Sequence, residues 1–162
     1  MEIIDGKKLS QHIKEEIRQA VALRKEKGQK VPHLAAVLVG NDGASLTYVS
    51  SKVRSCEQVG FKSTLIRLEQ SITEAALLSR IKTLNEDDTL DGYIVQLPLP
   101  KHIDEEKILL AVDPKKDVDG FHPSNFGRMA LEMDSFIPAT PFGIMEMLKR
   151  YDVDISGKHC VV

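Results

Sequence analysis

Cysteine is scarce in this sequence. Only Cys56 and Cys160 occur among 162 residues, and neither belongs to a C-x-x-C motif. Two lone thiols argue against a disulfide frame and against a zinc knuckle, and they suit a reducing compartment. An excess of one charge is missing too: Lys and Arg number 22 against 24 Asp and Glu, a formal charge of −2. Nothing therefore draws the chain generally to phosphate backbones or anionic lipid, and neither nucleic acid nor membrane is an expected partner. Apolar runs such as Leu34 to Val39 fall far short of the ~20 residues that span a bilayer. The opening stretch Met1-Glu2-Ile3-Ile4-Asp5-Gly6-Lys7-Lys8 has no apolar core of a secretion signal, so a cytoplasmic location is expected. G-x-S-x-G, Walker A, H-E-x-x-H and G-x-G-x-x-G are all absent, and Gly40-Asn41-Asp42-Gly43 does not match a dinucleotide fingerprint.

What is present is an ordinary globular composition, 42% hydrophobic and 28% charged, in a length that supports one domain with a real core. Helix and buried-strand patterns alternate. Leu9, Ile13, Ile17 and Val21 recur at helical spacing and Gly28 closes that segment. The run Leu34 to Val39, bounded by turn residues, reads as a strand buried on both faces. A second helix fits 44–59, stopped by Gly60, and 61–68 reads as another strand. Ser71 with Glu74 matches a capping box ahead of the stripe Leu77, Leu78, Ile81 and Leu84. Tyr93 to Leu97 is a third strand, ended by Pro98 and Pro100. Asp104 is placed to cap a short helix through Ile108 and Leu109, terminated by Pro114. Thr140 and Pro141 read as N-cap and first turn of a helix that buries Ile144, Met145 and Leu148. Such alternation predicts an α/β fold: a three-layer α/β/α arrangement around a mostly parallel sheet. The final stretch, Lys158 to Val162, reads as a fresh apolar strand with nothing after it. Either it joins the edge of the existing sheet or the chain is a fragment of a longer protein, and the fragment is preferred.

Ligands of open α/β sheets gather at the carboxyl ends of the parallel strands, and three segments leave those ends with unusual polar residues. On the helix after the first strand, Tyr48 and Lys52 are four apart and share a face, with Ser45 three before Tyr48. A phenol beside an amine is a workable acid/base unit when burial lowers the ammonium's pKa. From spacing alone the plainer reading, an exposed lysine beside a half-buried tyrosine, is preferred, because such pairs are abundant. In Asp91 to Pro100, Gln96 stands at the mouth of a buried strand on a stiff Leu-Pro-Leu-Pro mount, offering one donor and one acceptor. That suits the amide edge of a heterocycle and equally suits capping of local backbone. In Asp113 to Pro123, Asp117 and Asp119 would share a side if the segment were a strand. Asp-x-Asp-Gly lacks the remaining ligands of a calcium loop, and His122 has no second His or Cys at ligand spacing. No metal is expected, and His122 reads as a loop or strand-end histidine.

Taken together, the segments resemble the bifunctional methylenetetrahydrofolate dehydrogenase/cyclohydrolase family across essentially the whole chain. The match runs through Ile4-Asp5-Gly6-Lys7, Val39-Gly40, Tyr48-Val49-x-x-Lys52, Cys56-Glu57-x-Val59-Gly60-Phe61 and Leu84-Asn85. It is densest in Asp91 to Pro100, in Lys116-Asp117-Val118-Asp119-Gly120-Phe121-His122-Pro123-x-Asn125-x-Gly127, and in Pro138-x-Thr140-Pro141-x-Gly143. Met129 and Ala139 are mild departures. The resemblance reverses the preference at Tyr48 and Lys52. It implies an amino-acid-dehydrogenase-like N-terminal domain in which Lys52 is the catalytic lysine and Tyr48 its partner. Gln96 would sit against Lys52 and the folate ring, and Asp119 would bind the pterin end. Tyr48, Val49, Ser50, Ser51 and Lys52, with Val95, Gln96, Leu97 and Pro98, would line the substrate site.

The implied chemistry is oxidation of 5,10-methylenetetrahydrofolate with NADP (NAD in some members), then hydrolysis of the methenyl product to 10-formyltetrahydrofolate. The resemblance implies a homodimer, a folate-binding domain at 1–150, and a connector plus first strand of a Rossmann domain at 151–162. The remainder of that domain, and a last segment that returns to the first, lie outside this sequence, so tight NADP binding by this chain is not expected. Three other readings are weaker. A receiver-like module wants Asp where Gln96 stands, and a small-carboxylate site wants an Arg or Lys clamp where the rim is apolar. A non-catalytic folate-binding remnant is the third.

Overall fold

A computed structural model describes residues 3–161. Its elements in chain order are α1 (Gly6–Glu26), β1 (His33–Val39), α2 (Gly43–Val59), β2 (Lys62–Leu68), α3 (Glu74–Glu86), β3 (Gly92–Val95), α4 (Glu105–Ala111), α5 (Pro123–Ala130) and α6 (Ala139–Arg150). The three strands form a parallel sheet in the order β2-β1-β3. Val37 at its centre lies opposite Ile66 on one side and Val95 on the other.

Alternate residues of β1 serve opposite layers, as strand geometry requires. Ala35, Val37 and Val39, with Tyr93 and Val95, pack on Leu77, Ile81 and Leu84 of α3 and Ile108 of α4. Ala36, Leu38 and Ile94 pack on Val49 of α2, with Leu46 and Val53 alongside. This is the expected three-layer α/β/α arrangement. Full burial of each such aliphatic side chain stabilises the fold by roughly 1.5–3 kcal/mol relative to exposure, so the apolar run of β1 is its strongest single determinant.

Several boundaries differ from the sequence reading, each for a local reason. α3 is capped by Thr73, whose hydroxyl accepts from the Ala76 amide at 3.2 Å, and not by Ser71. Glu74 is then the first helical residue, and its carboxylate reaches the Lys107 ammonium and the Asp104 amide rather than turning back. β3 ends at Val95, although the Gln96 amide still bonds Val37 O at 2.9 Å. α4 is capped by Asp104 as expected and stops ahead of Pro114. α5 has no counterpart in the sequence pattern: His122 is its N-cap and Pro123 opens it, so His122 is a helix-capping residue and not a loop or strand-end histidine. Asp117 and Asp119 are not on a strand, because only a single bridge joins Asp117 to Tyr93.

α6 begins at Ala139, which puts Thr140 inside the first turn rather than at the cap. None of its residues is buried; Ile144 and Met145 are about half exposed and Leu148 is intermediate. Of that stripe only Ile144 faces the neighbouring helices, where with Phe142 and Met147 it lines an open groove against α1 and α2 instead of a closed core. Residues 158–161 are exposed and pair with no strand, and Val162 lies outside the described residues, as do Met1 and Glu2. No described helix is long and apolar enough to cross a membrane.

Candidate functional site

The site is assembled first at the N-terminus of α2. The Asp42 carboxylate accepts from the Ser45 amide at 2.8 Å, which holds its pKa below the usual carboxylate range. Ser45 is buried, and its hydroxyl donates to Leu97 O at 3.4 Å. That bond ties the first turn of α2 to the chain leaving β3. Tyr48 and Lys52 follow Ser45 on the same side of the helix, so both come to face Gln96 and Leu97 across one cleft.

Gln96 is held by its own surroundings. Its amide Nε2 donates to Leu97 O at 2.8 Å, while its Oε1 is buried and accepts nothing. A buried acceptor left unpaired costs about 1–3 kcal/mol, and such an atom is a standing invitation to an N–H donor. The Leu97–Pro98 peptide bond is cis, and the Leu99 amide is fixed by Glu105 Oε1 at 2.7 Å.

Asp119 arrives from the opposite side, on the turn between α4 and α5. Its Oδ1 lies 3.8 Å from Lys52 Nζ. Burial raises the Asp119 pKa; the Lys52 ammonium opposes that shift and the Asp117 carboxylate adds to it. The cleft has a volume of about 310 Å³. Tyr48, Lys52, Val95, Gln96 and Leu97 line one wall, and Asp119, Phe121 and the stretch 138–141 line the other. Lys52 and Asp119 also close the end of a second cavity of about 410 Å³ that runs beneath α2 past Cys56 to His33 and Asp91. Another hollow, about 840 Å³ between α1, α2 and α6, is mostly apolar; it shares Cys56 with the second cavity but touches none of Tyr48, Lys52, Gln96 and Asp119.

All four residues expected to do chemistry thus meet in one cleft: Lys52, Tyr48, Gln96 and Asp119. Of the expected lining, Val95 and Leu97 are present. Val49 is not: it is 1% exposed and packs against the sheet, because it lies about 100° around the helix from Tyr48. Ser50, Ser51 and Pro98 lie off the cleft walls as well. The far wall, Phe121 and 138–141, was not assigned to the site from sequence. The Pro138-x-Thr140-Pro141 signature is its sequence signal, and helical spacing alone assigns that segment to core packing. Among the described residues no group of three or more His, Cys, Asp and Glu could hold a metal, and His122 Nδ1 is engaged by the Ser124 amide at 3.1 Å.

An amine, a carboxyl group whose pKa burial raises, a phenol and an unpaired carbonyl oxygen in one cleft form a set for moving protons and recognising the N–H edge of a heterocycle.

Residues 4–119 match the family model described as tetrahydrofolate dehydrogenase/cyclohydrolase, catalytic domain. A bifunctional protein FolD of Flavobacterium johnsoniae is 72% identical over all 162 residues, which correspond to 55% of that protein. The crystal structure of the bifunctional methylenetetrahydrofolate dehydrogenase/cyclohydrolase of Campylobacter jejuni superposes with a TM-score of 0.93 at 47% identity, covering 98% of this chain and 56% of that one. The Trypanosoma brucei dehydrogenase-cyclohydrolase, solved with NADP and an inhibitor, gives a TM-score of 0.90 at 32% identity over 97% of this chain and 54% of that one. The chain spans about half the length of the curated relatives it matches.

Proposed function

Because the chain belongs to the tetrahydrofolate dehydrogenase/cyclohydrolase catalytic-domain family, we propose that its Lys52 cleft is the folate site of an enzyme with both activities. The reactions are oxidation of 5,10-methylenetetrahydrofolate to the methenyl form with NADP, and hydrolysis of that form to 10-formyltetrahydrofolate. The observation that carries the reading is the meeting of Lys52, Asp119 and the unpaired Gln96 Oε1 at one cleft.

In this reading Asp119 and Gln96 take the N–H groups of the pterin, and Tyr48, two-thirds exposed, offers its ring as a lid. Hydrolysis adds water to the methenyl carbon, so that a C–O bond forms and one water proton leaves. The bond from that carbon to N5 then breaks as the remaining O–H proton departs and the carbonyl forms, and N5 takes up a proton. One proton is released overall. Lys52 is the basic group beside this carbon and passes these protons, with Asp119 balancing its charge from 3.8 Å. Closing the cleft around a cationic bridge excludes bulk water and strengthens each of these contacts.

NADP supplies the hydride acceptor for the first reaction, and the described residues do not fit it. The turn after β1 leads into a helix whose N-terminal Ser45 amide is already taken by the Asp42 carboxylate, an anion where a pyrophosphate would need open N–H groups. The folate domain is assigned to 1–150, and 151–162 to a connector and first strand leading toward a nucleotide-binding domain. The exposure of 152–161 supports a connector. A cytoplasmic homodimer is part of the same reading.

Calorimetric titration of the chain with a tetrahydrofolate analogue tests the proposal. Lys52→Met and Gln96→Ala are each expected to weaken binding about tenfold or more. Unchanged affinity in both would remove the site. NADP added to the same chain is expected to give no measurable heat, and tight binding would overturn the domain assignment.

A further inference from the structure

We infer that Asp117 is a positioning residue for Asp119: clamped by Asn125, its buried carboxylate fixes the turn that presents Asp119 to Lys52 and stands directly behind it. The inference deepens the folate reading and rests on it for its consequence in binding.

Asp117 does not line the cleft. It is 6% exposed, and its carboxylate accepts three N–H donors: the Gly120 amide at 3.1 Å, the His122 amide at 2.8 Å and Asn125 Nδ2 at 2.9 Å. Asn125, also buried, uses the same nitrogen to hold Pro114 O at 2.8 Å. On the other side, the Asp117 amide bonds Asp113 O at 3.0 Å, and the Tyr93 amide bonds Lys116 O at 2.9 Å. The turn is therefore tied to β3 before Asp117, to itself across Gly120, and to α5 after it. Asp119 lies inside this loop, where two bonds from one carboxylate bracket it in sequence. A neutral side chain of the same shape supplies no equivalent, because an amide presents one acceptor oxygen where the carboxylate presents two.

The charge matters as well as the geometry. Groups facing Asp119 are Lys52, Tyr48 and Cys56 from α2, Asp117 from its own turn, and His33 and Asp91 at the far end of the cavity beneath α2. Lys52 favours the carboxylate form and Asp117 opposes it, while burial acts in the same direction as Asp117. Asp117 thus acts on the site through Asp119 and touches no ligand.

The experiment is a carbon-detected NMR titration of the Asp119 carboxyl in the chain, alongside the pH profile of tetrahydrofolate-analogue binding. Asp117→Asn is expected to lower the Asp119 midpoint, to move the binding profile with it, and to weaken binding about tenfold through misplacement. Asp117→Glu, which keeps the charge and strains the clamp, is expected to leave the midpoint near the parent value while losing stability. A purely structural role would cost stability in both variants and shift the midpoint in neither, and that result overturns the inference. Should Asp117→Asn not fold, Asn125→Ala decides, since unchanged analogue affinity there would overturn the positioning role. If the parent chain binds no analogue, the folate reading fails, and the Asp119 titration still judges the role of Asp117.

Discussion

The two walls of the cleft are built by different physics. Tyr48, Lys52 and Gln96 stand on α2 and on the exit of β3, elements whose other faces are packed into the sheet core through Val49 and Ile94. Asp119 and Phe121 stand on irregular backbone, and 138–141 at the start of α6, held by a buried carboxylate, a carboxamide and a close crossing at Gly120. Apolar packing is non-directional and tolerates small adjustments. A polar clamp is directional, and loss of one partner leaves the others unpaired. The first wall should therefore fail only when the whole fold fails, and the second should fail alone.

The largest effect expected tests whether the first wall carries the chemistry. Under the proposed folate reading, Lys52→Met should lower hydrolysis of 5,10-methenyltetrahydrofolate by about 10²–10⁴-fold, the usual worth of a positioned acid/base group, followed by loss of the substrate's absorbance. A fall of less than about threefold, far below the ~10² that such a group contributes at least, would move the chemistry off this wall.

Two substitutions then set the walls against each other. Ile81 is fully buried between α3 and the sheet, and Ile81→Ala should cost about 2–5 kcal/mol in urea unfolding while the folded molecules keep their analogue affinity. Gly120 has φ 70°, and a Cβ there would meet Phe136 O at 2.8 Å and the Pro138 nitrogen at 2.9 Å. Gly120→Ala should cost about 2 kcal/mol from the left-handed backbone and the displaced crossing segment. Its analogue affinity should fall further than that of Ile81→Ala, because the crossing segment leads directly into 138–141. Equal ratios of lost affinity to lost stability in the two variants would break the distinction between the walls.

This difference also governs how much was legible in the sequence. The buried run of β1 and the stripe of α3 announce themselves by period, because packing on a sheet imposes one. Tyr48 and Lys52 were placed on one face by the same arithmetic, and Gln96 by its position at a strand mouth. The second wall has no period. Asp117 and Asp119 alternate like strand residues, yet the first turns inward to amides and the second outward to Lys52, a divergence set by Gly120 and Asn125 rather than by spacing. α5 went unseen because its cap is a histidine, a residue that Ser, Thr, Asp and Asn outrank at that position. α6 differs from its pattern for the opposite reason: its stripe is regular, but no closed core meets it, and Ile144 and Met145 stay half exposed.

The smallest effect concerns the cost of placing Asp119 where it is. Its folded pKa is raised above the ordinary value of 3.8, chiefly by burial, and the attraction of Lys52 does not cancel that. Between the unfolded and folded pKa values the native state holds more protons than the unfolded chain. Stability from this group is therefore complete below the unfolded pKa, and it declines as pH rises through the folded one. Asp119→Asn removes the penalty but also the partner of Lys52. Since the net shift is upward, removal should favour the fold at neutral pH, and the advantage should shrink toward acid. Urea midpoints of parent and variant, compared at about pH 7 and about pH 4, read the difference directly. The same substitution should weaken the analogue, so that a more stable chain binds less well. That opposition is expected of a group held in an unfavourable place for its function, and a stability difference independent of pH would show that Asp119 sits on the second wall without strain.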